Sequence, residues 1–511
     1  MFGLSTVGVF LYFILFLSLI SITMYVSRPK EITIESYFFA NRNKSWFILG
    51  ISFLTCSIVS PYFIGLVWFS EVSGVALIYG IVSIIMLVFL AAFLTPIYLK
   101  LKINTLPEYF EKRYNKTCRY FLSAVYILYN ISIRLVVILV LGSILISRIT
   151  GADSYSSLLF FLIITGIYII VGGLQAEIYV NIIQMFLIVI GIAGFLVWVI
   201  YRGEGVNLID TNISSLLGFT SNPDLSLTGI FAGLPILGFW FWCADQCMVQ
   251  KILCSKNISS VRRAALLSGF LQIVPILIFI LPGFVMYYLF EGATSEESLN
   301  TIFYLGILPE SLRGGLIIGV AAILTASFAS LFNSTSTLVT FDFYKSLNPT
   351  VSDRKLVLVG RMTTLVLLLF SIMLVPVAQG LNFEFCLYMI KIFSFFIAMI
   401  AAVFIISLLN KSINGASALA TFVTISFLII LRIFLELFTG DNFLNGSLVY
   451  WYINSDFLEF CVFIFLFSGI FMFTLSRLKF IQNLVFGSLK TIKIFFLRIK
   501  HIWNLFSKVF I

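Results

Sequence analysis

The stretch Gly233-Leu-Pro-Ile-Leu-Gly238 interrupts an apolar run that begins near Thr228. A second long run, which begins near Trp46 and lies five runs earlier, is interrupted by Ser57-Ile-Val-Ser-Pro61. Backbone groups that glycine and proline free at membrane depth are tolerated where they line a cavity or bind something. A matched pair of interrupted spans predicts two inverted five-helix repeats around a central site, with both interruptions unwound near the bilayer midplane. The alternative is a pair of structural kinks.

Long apolar runs fill most of the chain. The 511 residues are 61% hydrophobic and only 11% charged, whereas about a quarter of the residues in a soluble domain are charged. A membrane-spanning helix needs about 20 apolar residues. The runs predict an all-α integral membrane protein with about 13 transmembrane helices. They begin near Leu4, Trp46, Gly74, Tyr120, Tyr155, Tyr179, Thr228, Ala264, Gly315, Leu356, Phe383, Ala416 and Phe457.

Basic and acidic residues alternate along most of the gaps between these runs. Gaps with several Lys and Arg residues are followed by gaps dominated by Asp and Glu. This positive-inside pattern predicts a multi-pass protein of the plasma membrane, with its N-terminus outside and its basic loops in the cytoplasm. The gap around Glu177 is an exception, because it should be cytoplasmic but contains no cation. The net charge of +10 therefore indicates orientation in a membrane and not a nucleic-acid partner.

Four regions follow from this pattern. Residues 1–45 are predicted to form a leading transmembrane helix and a cytoplasmic loop, and residues 46–409 a core that contains both repeats. Peripheral transmembrane helices occupy residues 410–475. The tail, residues 476–511, has aromatic side chains between its Lys and Arg residues and no acid. It predicts a basic amphipathic cytoplasmic helix on anionic lipids of the inner leaflet, the alternative being one more short span near Ile494.

Residues that catalyse reactions or bind transition metals are sparse. The only histidine, His501, lies in the tail, and the seven cysteines show neither a disulfide framework nor metal-site spacing. The apolar runs also contain no protease-like nucleophile with its base and no catalytic pair of Asp residues. An intramembrane enzyme is therefore not expected.

Six short motifs follow one another between Glu35 and Leu338. They are Glu35-Ser-Tyr-Phe-Phe-Ala-Asn-Arg42, Thr105-Leu-Pro-Glu-Tyr-Phe-Glu-Lys-Arg113, Gly172-Gly-Leu-Gln-Ala, Trp242-Cys-Ala-Asp-Gln246, Leu308-Pro-Glu-Ser-Leu-Arg-Gly314 and Asn333-Ser-Thr-Ser-Thr-Leu. The ordered set resembles the sodium/solute symporter family, and the wording around Trp242 is most similar to its sodium–glucose cotransporter branch. The resemblance implies a LeuT-type fold and uptake of a small solute by alternating access, driven by sodium entry.

The resemblance also implies a sodium site between the second and ninth spans. Family members bind this ion with carbonyls of the broken second span and with carbonyl and hydroxyl groups of the ninth. The matching positions here are Thr55, Ile58, Ile323, Ala326 and Ser327. The coupling ion expected from the resemblance is Na⁺.

Two departures from the family pattern concern ion binding. The family usually has two adjacent hydroxyls in the ninth span, whereas here Ala326 precedes Ser327, so one hydroxyl ligand is absent. Some members have a second ion site with an Asp where this chain has Asn181. An amide oxygen can ligate sodium but adds no negative charge. Coupling through one weak sodium site, or without sodium, therefore stays open.

Two cations inside predicted spans bear on the solute. Arg134 lies about halfway along the fourth span, and Lys391 lies inside the eleventh. Charges at such depth are costly and normally face a cavity or a partner. In relatives that transport sialic acid, an Arg in the corresponding span meets the substrate carboxylate, and Arg134 matches it. We therefore predict that Arg134, together with Lys391, binds a carboxylate-bearing metabolite. The alternatives are a protein acid such as Glu384, or snorkelling to an interface.

Other candidate solute contacts lie near the interruptions. Sugar-transporting relatives place polar groups at positions that match Ser57, Tyr62, Gly80, Gln272 and Ile390. Several partners for sugar hydroxyls are missing at these positions, which argues against glucose. Trp240 and Phe241 follow the seventh-span interruption and are placed to stack on a solute, the alternative being helix packing.

Three polar residues beyond Trp242, namely Asp245, Gln246 and Lys251, are expected to form a structural or gating cluster. Together these features favour sodium-coupled secondary transport, with a sugar or polyol as the second choice of solute. The competing function is a membrane sensor that kept the fold without coupled transport, which the weakened ion ligands favour.

Overall fold

Apart from a few isolated positions, the computed structural model describes residues 33–58, 73–150, 154–202, 226–274, 310–438 and 455–478. Within these ranges the chain is almost entirely helical, and nine helices are long and apolar enough to cross a bilayer by length and composition. The predicted all-α integral membrane class is confirmed. The predicted first span and the basic tail lie outside the described residues, apart from isolated positions, and so do Pro61 and Tyr62.

Eight helices form the N-terminal half of the described chain. Two of the junctions are π-helical turns, at Leu90–Leu94 and at Tyr129–Arg134, so four of the helices join in pairs into two longer rods. The helices are α1 (Ile34–Phe39), α2 (Trp46–Ile58), α3 (Ser73–Phe89), α4 (Thr95–Leu101), α5 (Leu106–Arg113), α6 (Lys116–Leu128), α7 (Leu135–Thr150) and α8 (Ser154–Arg202).

Eight more helices form the C-terminal half. Further π-helical turns lie at Gly229–Gly233, Trp240–Ala244 and Val339–Lys345. The helices are α9 (Leu234–Phe239), α10 (Gln246–Leu253), α11 (Ile258–Leu271), α12 (Glu310–Leu338), α13 (Asp353–Gln379), α14 (Phe383–Leu409), α15 (Gly415–Phe438) and α16 (Phe457–Arg477).

Helix α8 is kinked sharply at Gly173. A straight helix of 49 residues would be about 74 Å long, more than twice the hydrocarbon thickness of a bilayer. Gly173 has φ 56° and ψ −143°, and a Cβ there would lie 2.4 Å from the carbonyl oxygen of Tyr37. Only glycine fits this backbone and this close approach. The kink separates the two runs that the sequence places on either side of Glu177.

The interruption predicted at residues 233–238 of the seventh span is wrong. Residues 233–238 are helical, because a π-helical turn runs directly into α9 and Pro235 occupies the first turn of α9, where its missing N–H costs little. The backbone instead leaves the helix at Asp245, with φ −65° and ψ 133°. The side chain of Asp245 then caps α10 by accepting a hydrogen bond from the amide of Cys247. In the second span, α2 continues through Ser57 to Ile58.

Helix α12 lies at the centre of the molecule. In its apolar window, 94% of the residues are buried inside the protein, more than in any other candidate span of the described chain. It carries a dense series of buried hydroxyl and amide side chains, comprising Thr325, Ser327, Ser330, Asn333, Ser334, Thr335, Ser336 and Thr337. Buried polar groups need partners inside the protein. The interior of this membrane protein is therefore a polar centre built around α12.

Candidate functional site

The expected sodium ligands lie on two helices that pack together, α2 and α12. Thr55 is buried near the end of α2 and donates its hydroxyl to the carbonyl oxygen of Ile51 at 2.9 Å. On α12, the hydroxyl of Ser327 donates to the carbonyl oxygen of Ile323 at 2.8 Å, so two expected ligands are adjacent. Ala326 is completely buried, and Ile58 closes α2. These oxygens are of the neutral kind that binds sodium at interrupted helices.

Thr325 is a buried hydroxyl that the sequence comparison did not single out. It precedes Ala326, so it could have replaced the missing hydroxyl ligand. Its hydroxyl instead donates to the carbonyl oxygen of Ala321 and accepts from the Nε2 of Gln184, both at 2.7 Å. Because successive helical residues differ by about 100° in direction, Thr325 faces α8 and does not share the direction of Ala326. The missing hydroxyl at position 326 is therefore not compensated by Thr325.

Asn181, the candidate for a second ion site, lies on α8 and is completely buried. Neither its amide oxygen nor its amide nitrogen has a hydrogen-bond partner among the described residues. The amide oxygen of Gln184, one turn further along α8, is also without a partner there. Unpaired buried polar atoms are rare and call for an explanation such as an unseen ion or water. Asn181 therefore has the properties of a site residue.

A buried ion pair lies one turn before Asn181. Glu177 accepts hydrogen bonds from Ser330 at 2.9 Å and from Asn333 at 2.5 Å, and it lies 3.3 Å from the Nζ of Lys251. Both charged side chains are only 1% exposed. Lys251 also donates to the carbonyl oxygen of Ser52 on α2 at 3.3 Å. The cluster thus connects α2, α8, α10 and α12.

The sequence pattern only partly identified this cluster. Lys251 was expected in a polar cluster with Asp245 and Gln246, whereas Glu177 was noted only as an exception in the charge pattern. The gap around Glu177 contains no cation, and the partner of Glu177 is Lys251 of α10, 74 residues later in the chain. No local signal in the sequence indicates that partnership.

Arg134 meets a protein acid from another helix. Its side chain is 2% exposed, and its Nη1 lies 3.3 Å from Oδ2 of Asp245, whose side chain is 5% exposed. The same nitrogen lies 3.0 Å from the sulfur of Cys247. Arg134 is therefore held at the point where the seventh span leaves the helix. The sequence analysis gave a protein acid as the alternative partner of Arg134, but it did not identify Asp245.

Trp240 lies in an aromatic cluster beside this ion pair. Its ring is stacked on Tyr126, with centroids 5.9 Å apart and planes inclined by 15°, and its Nε1 donates to the hydroxyl of Tyr126 at 3.2 Å. Tyr129 and Phe393 stack at 3.7 Å and contact Trp240 edge-on. Phe241 is also buried. In this conformation the rings pack on one another, which is the arrangement expected of helix packing.

Lys391 pairs with an acid that does not belong to the polar centre around α12. It forms a 2.7 Å ion pair with Glu436 of α15, and the two side chains are 29% and 22% exposed. The acid considered from the sequence was Glu384, seven residues before Lys391 on α14, whereas the partner in the structure comes from the neighbouring helix α15. The structure thus gives Arg134 and Lys391 different acids. Ser57 lies on α2, but its side chain is outside the description, as is all of Tyr62.

A third buried carboxylate lies just beyond the C-terminal end of α12. Asp342, completely buried, accepts hydrogen bonds from Thr105 at 2.6 Å, Ser123 at 2.7 Å and the Nε of Arg119 at 2.8 Å. Arg119 also pairs with Glu111. These contacts attach α5 and α6 to the π-helical turn after α12. Their role is structural, because every charge in the cluster has a protein partner.

Helices long and apolar enough to cross a bilayer, packed around a buried polar centre, define a polytopic membrane protein. The chain belongs to the sodium:solute symporter family, whose family model matches residues 37–424. This is a family of transporters and not of enzymes. Membership of this family, together with the apolar helices, establishes that the chain is a multi-pass membrane protein.

Several known proteins are similar to the chain. It is 30% identical over 437 residues to sodium/glucose cotransporter 1 of Oryctolagus cuniculus, covering 76% of this chain and 65% of that protein. It is 29% identical over 435 residues to sodium/myo-inositol cotransporter 2 of Homo sapiens, covering 76% and 64%. The chain thus spans just under two thirds of the length of these relatives.

A solved structure shares the fold. It is a substrate-bound, outward-open Na⁺-coupled sialic acid symporter, with a TM-score of 0.76 at 19% identity, covering 92% of this chain and 96% of that one. The expected LeuT-type fold is therefore confirmed.

Proposed function

We propose that this chain is a secondary transporter that couples sodium entry to uptake of a small organic solute across the plasma membrane by alternating access. Membership of the family supports transport, and the fold supports alternating access. The observation that carries sodium coupling is the hydrogen bond from the hydroxyl of Ser327 to the carbonyl oxygen of Ile323, which brings two buried oxygens together on α12 beside α2. Thr55, Ile58 and the main chain of Ala326 complete the proposed site.

Uptake into proteoliposomes tests this function directly. Radiolabelled myo-inositol, glucose and sialic acid are the first solutes to try, because relatives or structural neighbours are named for them. We expect uptake of at least one to be faster with an inward sodium gradient than with an equal potassium gradient. Equal rates in the two buffers would contradict coupling. Binding without uptake of any solute would support the competing function of a membrane sensor.

The solute best supported by the geometry is a neutral, hydroxyl-rich compound such as a polyol or sugar. Asp245 already meets the charge of Arg134, and Glu436 meets that of Lys391. A carboxylate would have to displace Asp245 from Arg134 and leave a buried acid without its partner, which is costly. Trp240, Phe241, Ser57 and Tyr62 are the other proposed contacts, since rings and hydroxyls suit a polyol or sugar.

A carboxylate-bearing metabolite is the second candidate. It is favoured by the contact of Arg134 with Asp245, where the seventh span leaves the helix five residues after Trp240. Competition of uptake by matched pairs of carboxylates and neutral analogues decides between the two. Inhibition by neutral compounds alone supports a polyol or sugar. Inhibition by carboxylates alone, lost in Arg134→Lys because the guanidinium fork is gone, supports the second candidate.

The ion pair between Glu177 and Lys251 is proposed as a gate on the basic side of the polar centre. Lys251 belongs to the seventh span, whereas Glu177 belongs to the second half of α8, so the pair connects helices from both halves of the core. Helices that move relative to one another during alternating access cannot keep this contact. The gate also includes Ser52, whose carbonyl oxygen accepts from Lys251.

Asn181 is proposed as a ligand of a second, weaker ion. Its completely buried amide without a partner among the described residues supports this role. The absence of a negative charge at position 181 makes such a site weak relative to one with an Asp.

The charge pattern supports an extracellular N-terminus and a cytoplasmic C-terminus. Accessibility of single engineered cysteines to an impermeant thiol reagent in intact cells tests this orientation. The basic tail after Arg477, for which we propose anionic lipids of the inner leaflet as partners, is tested by the binding of a tail peptide to charged and neutral vesicles.

A further inference from the structure

A pocket of about 770 Å³ opens on the face that carries the basic loops. Its walls come from α1 and the turn after it, from the end of α4, and from the turn between α10 and α11. None of the proposed ion or solute ligands lines it. Four cations face one carboxylate around the pocket, namely Arg42, Lys100, Lys102 and Lys256 against Glu35. We propose that this pocket binds a phosphate-bearing anion.

The charges in the pocket are not balanced by the protein. Arg42 uses its Nε to pair with Glu35 at 2.9 Å and its Nη2 to donate to Asn104 at 3.2 Å, so it is held in place. Lys100, Lys102 and Lys256 are exposed, and none of them forms an ion pair within the described ranges. Several cations around one concave surface focus a positive potential into it. An anion bound there would relieve their mutual repulsion.

Ser255 supplies an independent sign of a missing ligand. This residue of the pocket wall is only 5% exposed, and its buried hydroxyl has no hydrogen-bond partner among the described residues. Leaving a buried hydroxyl unpaired is costly, because its interaction with water is lost without replacement. The oxygen of a bound anion would accept this hydrogen bond. A basic surface that serves only to orient the protein in the membrane would not explain this hydroxyl.

The start of α11 adds main-chain donors to the same wall. The side chain of Asn257 caps the helix by accepting from the amide of Ser260 at 2.8 Å. Ile258 and Ser259, the first two helical residues, line the pocket, and their amides have no acceptor within the helix. Amides and lysines together are a recurrent combination in phosphate sites.

The size of the pocket indicates more than an inorganic ion. Its volume lies in the range of sites for small organic ligands, so the phosphate would belong to a larger molecule. Two sources share this chemistry, the phosphorylated headgroup of an inner-leaflet lipid and a soluble phosphate compound. Either occupant would contact the turn that follows α10, the helix of Lys251. The binding itself does not depend on the proposed transport.

The test measures binding to the purified full chain in two arms. In detergent, calorimetric titration with inorganic pyrophosphate is compared with sodium chloride at equal ionic strength. In nanodiscs, thermal stability is compared between phosphatidylcholine alone and phosphatidylcholine with a phosphoinositide. We expect saturable binding in at least one arm, weakened about tenfold by Lys102→Gln and by Ser255→Ala.

The control is Lys355→Gln, which removes an exposed cation of α13 outside the pocket. Its affinity should equal that of the unmodified chain. Binding of pyrophosphate identifies a soluble phosphate compound as the source, and stabilisation by the phosphoinositide alone identifies a lipid headgroup. Absence of binding in both arms overturns the proposal. It is also overturned if Lys355→Gln weakens binding as much as Lys102→Gln, because the attraction would then be nonspecific.

Discussion

Arg134 and Lys391 are both cations inside apolar runs, but they occupy different surroundings. The pair of Arg134 with Asp245 is almost fully buried at 3.3 Å, whereas the pair of Lys391 with Glu436 is partly exposed at 2.7 Å. The shorter contact is therefore the less buried one. Burial and not distance decides the cost of losing a partner, because a charge in the protein interior cannot be solvated. A lysine near the periphery can redirect its long side chain.

The largest expected effect follows from removing the buried acid. Asp245→Ala should lower the free energy of unfolding by about 3–5 kcal/mol, because it leaves the guanidinium of Arg134 buried without its partner. Glu436→Ala should cost about 1 kcal/mol or less, because Lys391 is partly exposed. Thermal and chemical unfolding of the purified full chain measure both.

Asp245→Asn is the matched control, since Asp245 also caps α10. The amide keeps an oxygen that can cap the helix but loses the charge, so it should remain nearly as destabilising as alanine. If Asp245→Asn is as stable as the unmodified chain, the capping bond and not the ion pair explains the effect. Equal losses for Asp245→Ala and Glu436→Ala would contradict the comparison itself.

An intermediate effect is expected at an uncharged position of the polar centre. Ser327→Ala should raise the sodium concentration for half-maximal uptake roughly tenfold, equivalent to about 1.4 kcal/mol, by removing a proposed ion ligand. Ala326→Ser should lower it by restoring the second hydroxyl. Sodium titration of solute uptake measures both changes.

Ser336→Ala provides the control for Ser327 on the same helix. Ser336 is also buried and donates its hydroxyl to a carbonyl oxygen of α12, that of Asn333 at 3.0 Å, but it is not a proposed ligand. Its sodium dependence should stay unchanged. A similar shift for both serines would attribute the effect to helix packing.

The smallest effect is expected at Asn181. If its amide ligates a second ion, Asn181→Leu should weaken apparent sodium affinity about threefold, equivalent to ~0.7 kcal/mol. If the amide has no ligand, the same change removes an unpaired polar group, so it should stabilise the fold and leave the sodium dependence unchanged. Sodium titration and thermal unfolding of one variant separate these outcomes.

Much of the fold could be predicted because membrane helices are recognisable from local composition. Runs of about 20 apolar residues specify the spans whatever their neighbours are. The interruption in the seventh span was less predictable. Gly233 and Pro235 were the visible signals, yet they are accommodated in helix, and the break occurs at Asp245. A helix ends where capping and tertiary contacts favour it, and Asp245 has both a cap to form and Arg134 to meet.

The candidate site was predictable only where one helix supplies it. The proposed ligands Ile323 and Ser327 are four residues apart, so helical geometry alone brings them together. Glu177 and Lys251 come from different spans, and their pairing depends on how α8 and α10 pack. The acids that pair with Arg134 and Lys391 could not be predicted for the same reason, because each comes from another helix.

The amino-acid sequence by itself determined the membrane class, the order of the spans and the helical face on which the proposed α12 ligands lie. These properties depend on composition and on the 3.6-residue period, which act over one or two turns. Only the tertiary structure decided which acid neutralises each buried cation, and which hydroxyls and amides stay without partners. Buried charges and polar atoms are satisfied by whichever groups packing brings within about 3 Å, and that proximity is a property of the assembled helices.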